Sequence, residues 1–269
     1  MIPASSEEVE VTVTRAEKIV REVGGRPERG GDPRLRMSFT ANLVRLVEFT
    51  EPELDPEDVV LETCAGTAVL SRAIARRVRH VTALDLDEGK LAEGKREADR
   101  DALTNITFTR GDATALPYIG RSFTLLLNRF SLHEADDPAA VLRELVRVSR
   151  PGAGLVVADL VRPEDGAADP DRLERLRDPS HRRLLTVQQI TDLITEAGAE
   201  VKRTDRFDVV RPLEAWLAKS GTPAETAEQI RAELRAELDG GPATGLRPVM
   251  VDGELCITQA NAYFGAIAP

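Results

Sequence analysis

The stretch Val59–Ala75, VVLETCAGTAVLSRAIA, decides the fold of this chain. It opens with an apolar run typical of a buried strand, passes through a loop that contains Gly66, and continues with the pattern of a helix. Four more apolar runs follow, separated by helix-length segments, at 81–84, 106–109, 123–127 and 154–158. Apolar runs that alternate with helices are typical of parallel strands covered on both faces. The sequence therefore predicts an α/β fold with a doubly wound, mostly parallel sheet.

The two ends of the chain carry different signals. Residues 1–36 are polar and include GGRPERGGDPR, so we expect a flexible N-terminal arm followed by one domain over 37–269. A helix is predicted to begin after the arm, with Ser38 as its N-cap. Near the C-terminus, Asp252-Gly253 between two apolar runs predicts a hairpin, and hence an antiparallel strand at the end of the sheet.

Composition narrows the classes of partner. The formal net charge of −10 leaves no basic surface for a nucleic-acid backbone. The 2 cysteines are too few for a disulfide framework and lack the spacing of a metal site, so no metal is predicted. No apolar run is long enough to span a bilayer, and the start of the chain lacks the features of a signal peptide. We therefore expect a cytoplasmic protein without nucleic-acid or membrane partners.

The loop around Gly66 points to a nucleoside. Asp85 ends the second predicted strand about 20 positions after Gly66, the interval at which a carboxylate can accept hydrogen bonds from a ribose. The loop lacks the G-x-G-x-x-G pattern that lets backbone approach a pyrophosphate, and Glu62 at its start suits a cationic ligand. An ordinary tight turn is the alternative for a loop with a single glycine.

Two further segments, GDATALPY at 111–118 and LLNRFSLHEADDP at 126–138, complete a pattern. From about Val59 to Leu160 the chain resembles the class I S-adenosylmethionine-dependent methyltransferases, in particular the small-molecule branch that includes the ubiquinone and menaquinone C-methyltransferases. The resemblance implies a seven-stranded Rossmann-like sheet with an antiparallel terminal strand. It also implies S-adenosylmethionine as cofactor, a small-molecule substrate, and a lid-like insertion at about 161–185.

The resemblance also assigns cofactor contacts. It implies that Glu62 lies near the methionine end, that Asp85 takes the ribose hydroxyls and that Asp112 accepts from the adenine amino group. The complete implied set is Glu62, Cys64, Gly66, Thr67, Ala68, Asp85, Leu86, Asp112, Ala113 and Asn128. The family usually reads D-x-G-x-G-x-G where this chain reads E-T-C-A-G-T-A, so Cys64 and Ala68 stand at glycine positions. Each adds bulk where backbone approaches ligand.

The acceptor side is less defined. His133 follows the fourth strand, and with an ordinary pKa near 6.5 it could act as the catalytic base at neutral pH. The alternative is a loop histidine held by Glu134 and Asp136. His181, in the insertion, is a candidate substrate contact, although a surface histidine is the favoured interpretation. The aromatic candidates for the acceptor pocket are Phe39, Tyr118 and Phe130, with core packing as their alternative.

Together these features predict methyl transfer to a small organic acceptor. Transfer of a methyl group from a sulfonium is an in-line displacement, so correct alignment of acceptor and methyl group can supply most of the rate acceleration. Two alternatives stay open: a cofactor-binding protein of the same fold with non-methylating chemistry such as a cyclisation, and a non-catalytic partner protein with a degenerate cofactor loop. The acceptor atom is also left open, as is the oligomeric state, with a homodimer as one alternative.

Overall fold

The computed structural model of the protein describes residues 14, 16–18, 20, 33–164 and 168–269, with the backbone alone for 33–40. The α-helices of this described part include α1 (Pro33–Thr50), α2 (Val69–Ile74), α3 (Glu88–Arg100), α4 (Pro138–Val148), α5 (Pro170–Arg177), α6 (Val187–Glu196), α7 (Leu213–Lys219) and α8 (Ala224–Leu238), and residues 16–18 and 20 are helical as well. The strands of the same part are β1 (Val59–Thr63), β2 (His80–Asp85), β3 (Ile106–Arg110), β4 (Phe123–Arg129), β5 (Ser149–Leu160), β6 (Glu200–Pro212), β7 (Val249–Val251) and β8 (Glu254–Ile267).

The strands form one sheet in the order β3-β2-β1-β4-β5-β8-β6, with the short β7 paired to β8. Strands β1 to β5 pair in parallel, whereas β8 runs antiparallel between β5 and β6. The mostly parallel sheet and an antiparallel C-terminal strand are therefore confirmed, and the predicted hairpin joins β7 to β8. However, β8 lies one strand inside the edge, which β6 forms, and β7 is an eighth strand beyond the seven expected. The strand order reverses between β1 and β4, and such a switch point places a ligand site at the carboxyl ends of these strands.

Local signals explain where the helices begin. Asp137 caps α4 by accepting a hydrogen bond from the Ala140 backbone N–H at 2.9 Å, and Pro138 occupies the first turn. Thr186 and Gln189 form the capping box of α6, each side chain accepting from the other residue's backbone N–H. Each helix has a buried apolar stripe with helical periodicity. Both stripes pack on the same face of the sheet.

The sheet separates two apolar layers. On one face, Leu61, Leu126 and Phe264 pack with α4 and α6. On the other face, Val60 and Leu125 pack with α1, α2 and α3. Burial on both faces explains why the parallel strands read as apolar runs instead of alternating patterns.

The N-terminal region differs from the prediction. Helix α1 begins at Pro33, so Ser38 lies inside the helix and does not cap it. Proline suits the first helical turn because its missing N–H has no partner there in any case. Two described residues of the expected arm, Ala16 and Val20, are buried in the apolar layer that contains α1. At these two positions the arm therefore packs on the domain, while most of its other residues lie outside the described part.

A helical cap covers one end of the sheet. Leu173 of α5 shares an apolar cluster with Trp216 of α7 and Ile230 of α8. The predicted insertion at 161–185 therefore supplies one cap helix, and the connection between β6 and β7 supplies two more. Within the described ranges, no helix is both long enough and apolar enough to cross a membrane.

Candidate cofactor and acceptor site

The loop between β1 and α2 keeps a backbone suited to glycine. Cys64, Gly66 and Ala68 have φ values of 53°, 56° and 55°. This left-handed region costs a residue with a side chain roughly 1–2 kcal/mol and costs glycine almost nothing. Cys64 and Ala68, which stand where the family pattern has glycine, therefore keep the left-handed backbone that glycine favours.

Asp85 and α3 fix this loop from the neighbouring strand. The Oδ2 of Asp85 accepts a hydrogen bond from the Gly66 backbone N–H at 2.7 Å, which holds the carboxylate against the loop. Leu86, the next residue, is 63% exposed and offers an apolar surface beside it. Gly94 of α3 lies so close to the loop that an added Cβ would be 2.7 Å from the Thr67 carbonyl oxygen. Gly94 is a support that our sequence reasoning missed, although an isolated glycine inside a helix often marks close packing.

Glu62 and Arg129 present opposite charges at the carboxyl ends of β1 and β4. Glu62 is fully buried, and its Oε2 accepts from the backbone N–H and the hydroxyl of Ser71. Its Oε1 and the Nε of Arg129 lie 4.0 Å apart, and neither has a hydrogen-bond partner among the described residues. Burial raises the pKa of Glu62, while Arg129 and Ser71 lower it. This pair can receive an ammonium and a carboxylate, the two charged groups of an amino acid.

The part of the site around Asp112, where the sequence predicts the adenine, is open to solvent. Asp112 is exposed, and its Oδ1 accepts from the backbone N–H and the hydroxyl of Thr114, which lower the pKa of Asp112. Ala113 beside it is buried. Asn128 is buried too, with its amide bonded to the hydroxyls of Thr63 at 3.0 Å and Ser131 at 2.9 Å. The Asn128 side chain therefore ties the ends of β1 and β4 together.

His133 is held inside the protein. Its Nδ1 bonds to the buried Asp159 at the end of β5, and its Nε2 lies 3.6 Å from the Glu134 carboxylate. Burial by itself lowers the pKa of His133, but Asp159 and Glu134 raise it more, to about 10. The imidazole is therefore a cation at neutral pH, which differs from the ordinary pKa expected for a base. The predicted partner Glu134 is present, whereas Asp136 pairs with Arg182 instead.

His181 is not a surface residue. It is 3% exposed, and its Nε2 bonds to Asp171 of α5 at 2.7 Å. Its ring centroid lies 5.8 Å from that of His133. The favoured surface interpretation is wrong because α5, the helix of the insertion, packs against the residues that follow it. Asp171 of this helix also accepts from the Leu184 backbone N–H. His181 therefore fastens the cap next to the end of β4.

The three aromatic candidates separate in space. Phe130 follows β4 at the ligand edge, where the Arg129 guanidinium lies 5.5 Å from its ring centroid. Tyr118 packs edge-on against Phe123, which begins β4, so it lies at the opposite edge of the sheet and does not join the site. The side chain of Phe39 lies outside the described residues.

Neither cysteine nor metal chemistry is indicated. Burial raises the pKa of the Cys64 thiol to about 11, which keeps it protonated and unreactive at neutral pH. Within the described ranges, histidine, cysteine and acidic residues form no group of three that could hold a metal ion.

Comparison with known proteins identifies the family. A family model described as a methyltransferase domain matches residues 60–152. The uncharacterized protein YafE of Escherichia coli is 34% identical over 163 residues, which cover 58% of this chain and 77% of YafE. The chain belongs to the class I S-adenosylmethionine-dependent methyltransferases. A demethylmenaquinone methyltransferase of Renibacterium salmoninarum is 39% identical over 111 residues, which cover 41% of this methyltransferase and 45% of that enzyme.

Solved structures show the same methyltransferase fold. A protein of Bacillus halodurans C-125 that is assigned as a methyltransferase superposes with a TM-score of 0.75 at 24% identity, covering 83% of this chain and 98% of that one. The [4+2]-cyclase SpnF superposes with a TM-score of 0.65 at 20% identity, covering 94% and 92%. Proteins with different activities share this fold, so fold alone does not determine the chemistry.

Replacing Ala68 by Gly in this methyltransferase is expected to preserve or tighten binding of S-adenosylhomocysteine. Glycine relieves the left-handed strain at Ala68 and removes a methyl group where backbone approaches ligand. The greater freedom of glycine in the unfolded chain offsets about 0.4–1 kcal/mol of the gain in stability. Titration calorimetry on both proteins measures the effect, and tenfold weaker binding by Ala68→Gly would show that the loop serves another purpose.

Proposed function

We propose that the chain transfers the methyl group of S-adenosylmethionine to a small organic acceptor. The proposal rests chiefly on one arrangement, in which the Asp85 carboxylate is fastened to a loop with left-handed backbone at Cys64, Gly66 and Ala68. A carboxylate that ends β2 and faces the first strand-to-helix turn is suited to ribose hydroxyls.

The remaining contacts follow the shape of the cofactor. We assign the methionine end to Glu62, whose Oε1 lacks a partner among the described residues, and to Arg129 beside it. The exposed Leu86 packs on the adenine, Asp112 accepts from its amino group, and the Ala113 N–H faces the ring. In these roles Glu62 and Arg129 neutralise the amino-acid charges, and Asp85 sets the orientation of the ribose.

The chain's own residues align the acceptor and exclude water. When bound, the cofactor supplies an activated methyl group, and displacement needs a straight approach more than it needs acid–base chemistry. His133 is a cation at neutral pH, so it does not accept a proton from the acceptor in this mechanism. Instead it is a positioning residue. The bond from its imidazole to Asp159 fixes the His133 backbone, whose carbonyl accepts hydrogen bonds from the backbone N–H groups of Arg182 at 3.0 Å and Arg183 at 3.1 Å.

Isothermal titration calorimetry with S-adenosylmethionine and S-adenosylhomocysteine tests the proposal. We expect micromolar binding of both. Replacing Asp85 by Ala removes hydrogen bonds from a charged group to the ribose, so affinity should fall by about 1.5–3 kcal/mol, or roughly tenfold to a hundredfold.

Glu88→Ala is the matched control for Asp85→Ala. Glu88 begins α3 next to the same loop, but its carboxylate is exposed and lies 3.9 Å from Arg110, so its removal should leave affinity within twofold. The absence of binding heat and of a thermal shift with either ligand at millimolar concentration would favour a non-catalytic partner protein. Unchanged affinity in Asp85→Ala would show that the assigned contacts are wrong.

A further inference from the structure

Several cations beside the proposed methyl-transfer site are close enough to act on one another, since desolvation and then the charges of Arg211 and Arg177 lower the pKa of Lys219. They are Arg177 of α5, Arg211 near the end of β6 and Lys219 at the end of α7. Strand β6 runs in the same direction as β4, because β8 pairs antiparallel with β6 and with β5, which is itself parallel to β4. Arg211 therefore lies at the carboxyl edge of the sheet, the edge that also carries Arg129.

The strand register also places Arg211 and Arg129 on the same face. Arg129 is paired with Ala158, Ala158 with Tyr263, and Tyr263 with Asp205. Paired residues share a face, and alternate residues along β6 from Asp205 to Arg211 do so as well. The positive charges of both arginines act on the buried Tyr263 hydroxyl, which agrees with this placement. Arg129 and Arg211 thus lie on the face of the sheet that carries Glu62.

Arg211 and Lys219 form no salt bridge with a described residue. No described carboxylate lies within 4.0 Å of either side chain, and the buried Nε of Arg211 has no hydrogen-bond partner among the described residues. By contrast, Arg206 on the same strand pairs with Glu164 at 3.0 Å, and Arg177 pairs with Glu174 at 3.2 Å. A buried donor of a cation without a partner is costly, so the Arg211 Nε indicates that another group accepts from it.

The neighbouring acids are already engaged. Glu134 lies beside His133, while Asp178 accepts from Ser180 and Ser220. Desolvation, and then Arg211, Arg177 and Arg129, lower the pKa of Lys219, although Glu134 raises it. Desolvation also lowers the pKa of Arg211, which Glu174 partly offsets. Desolvation is therefore the largest effect on both groups; neighbouring arginines act in the same direction at Lys219, whereas the Glu174 carboxylate opposes it at Arg211.

Unpaired donors reinforce the charge argument. The Nε of Arg177 and the Nε1 of Trp216 are buried and have no acceptor among the described residues. The Arg177 guanidinium lies 4.6 Å from the centroid of the Trp216 ring, so the two donors are close together. Buried donors are normally satisfied, and an oxyanion offers several acceptor lone pairs at once.

We propose that Arg211 and Lys219, with Arg177 beside them, bind an anionic group of the methyl acceptor, a carboxylate or a phosphate. This inference rests on the proposed function, since it places the acceptor between these cations and the cofactor site. Arg129, which faces Glu62, is assigned to the methionine end of the cofactor instead. The acceptor is thereby narrowed to organic acids and phosphate esters, even though the chain as a whole carries a net charge of −10.

Binding of small probes to the protein saturated with S-adenosylhomocysteine tests this inference. The probes are benzoate and phenyl phosphate, with benzyl alcohol and phenol as neutral matches. We expect titration calorimetry to detect at least one anion binding ten times more tightly than its neutral match, with weaker binding at higher salt. The tighter anion identifies the group as carboxylate or phosphate.

Variants assign the effect to the cations. Arg211→Met and Lys219→Met keep most of the side-chain stem and should weaken binding of the preferred anion about tenfold to a hundredfold, because each loses a charged hydrogen bond. The matched controls are Arg206→Met and Lys202→Met, whose cations pair with Glu164 and Glu200. Both controls should retain anion affinity within twofold.

The outcomes separate the two proposals. Absence of S-adenosylhomocysteine binding would overturn the proposed function itself. Normal cofactor binding with equal affinity for anionic and neutral probes would overturn the anionic acceptor alone, as would anion binding that survives Arg211→Met and Lys219→Met. If Arg211→Met does not fold, as thermal melting would show, Lys219→Met decides the question because Lys219 is exposed to solvent.

Discussion

Replacing Asp159 by Ala is expected to lower the free energy of unfolding by about 3–5 kcal/mol. Asp159 is fully buried, and its Oδ1 accepts from the Nδ1 of His133 and from the Leu160 backbone N–H at 2.7 Å. Its Oδ2 accepts from the backbone N–H groups of Ser131 at 3.2 Å and Leu132 at 2.7 Å. Removing the carboxylate therefore leaves a buried imidazolium uncompensated and several amides without acceptors.

Chemical denaturation measures this loss, and Asp205→Ala provides the control. Asp205 makes a bidentate pair with Arg45 at the surface, at 2.8 and 2.9 Å, and such pairs contribute roughly 0–1 kcal/mol. The double variant His133→Ala/Asp159→Ala removes both charges, and the double-mutant cycle should show strong coupling between them. A loss in Asp159→Ala no larger than in Asp205→Ala would contradict the description of this pair as a structural support of the site.

His133→Gln is expected to remove a steep dependence of stability on pH. The pKa of His133 is raised from 6.5 to about 10 in the folded protein. Between these values the folded state holds a proton that the unfolded state has released. The contribution of His133 is therefore fully present below pH 6.5 and is lost as pH rises through about 10. Between pH 6.5 and about 10, the free energy of unfolding of the parent protein should therefore fall by about 1.4 kcal/mol per pH unit. In His133→Gln this fall should be absent.

Unfolding curves at several pH values between neutral and strongly alkaline conditions measure the difference. His80→Gln is the control, because His80 is partly exposed and its imidazole bonds only to the Thr107 hydroxyl, at 3.0 Å, among the described residues. Parallel pH profiles for the parent and His133→Gln would contradict the raised pKa.

The same variant tests the catalytic role that the sequence suggested for His133. If His133 is a cation at neutral pH, kcat/KM should show no His133-dependent rise near pH 6.5. A general base contributes about 10²–10⁴-fold. A loss of that size in His133→Gln, together with disappearance of a rise near pH 6.5, would restore His133 as the base and overturn its assignment as a positioning residue.

Sequence patterns alone predicted the parallel sheet, the hairpin after Asp252 and the loop around Gly66. These features depend on residues close together in the chain, where periodicity, capping residues and turn residues act over a few positions. The position of Asp85 at the end of β2 also followed, because the spacing from Gly66 is that of a strand-end carboxylate facing the first loop. The order of the strands came only from the structure. The start of α1 was missed because Pro33, inside the stretch that we interpreted as an arm, begins the helix.

Tertiary structure decided the charges of the site. His133 and Asp159 are 26 positions apart, and no local pattern brings their side chains together. His181 is buried because Asp171 of α5 and the β4 loop meet over it, and Tyr118 falls at the opposite edge because the chain after Asp112 runs back to the start of β4. Arg211 and Lys219 belong to no motif, and Arg129 has no assigned role in the segment that contains it, so the sequence did not show that these cations act together. Whether a group is charged depends on its burial and on the charged and hydrogen-bonding partners that folding brings to it. These partners are distant in the chain, so local sequence patterns do not show them.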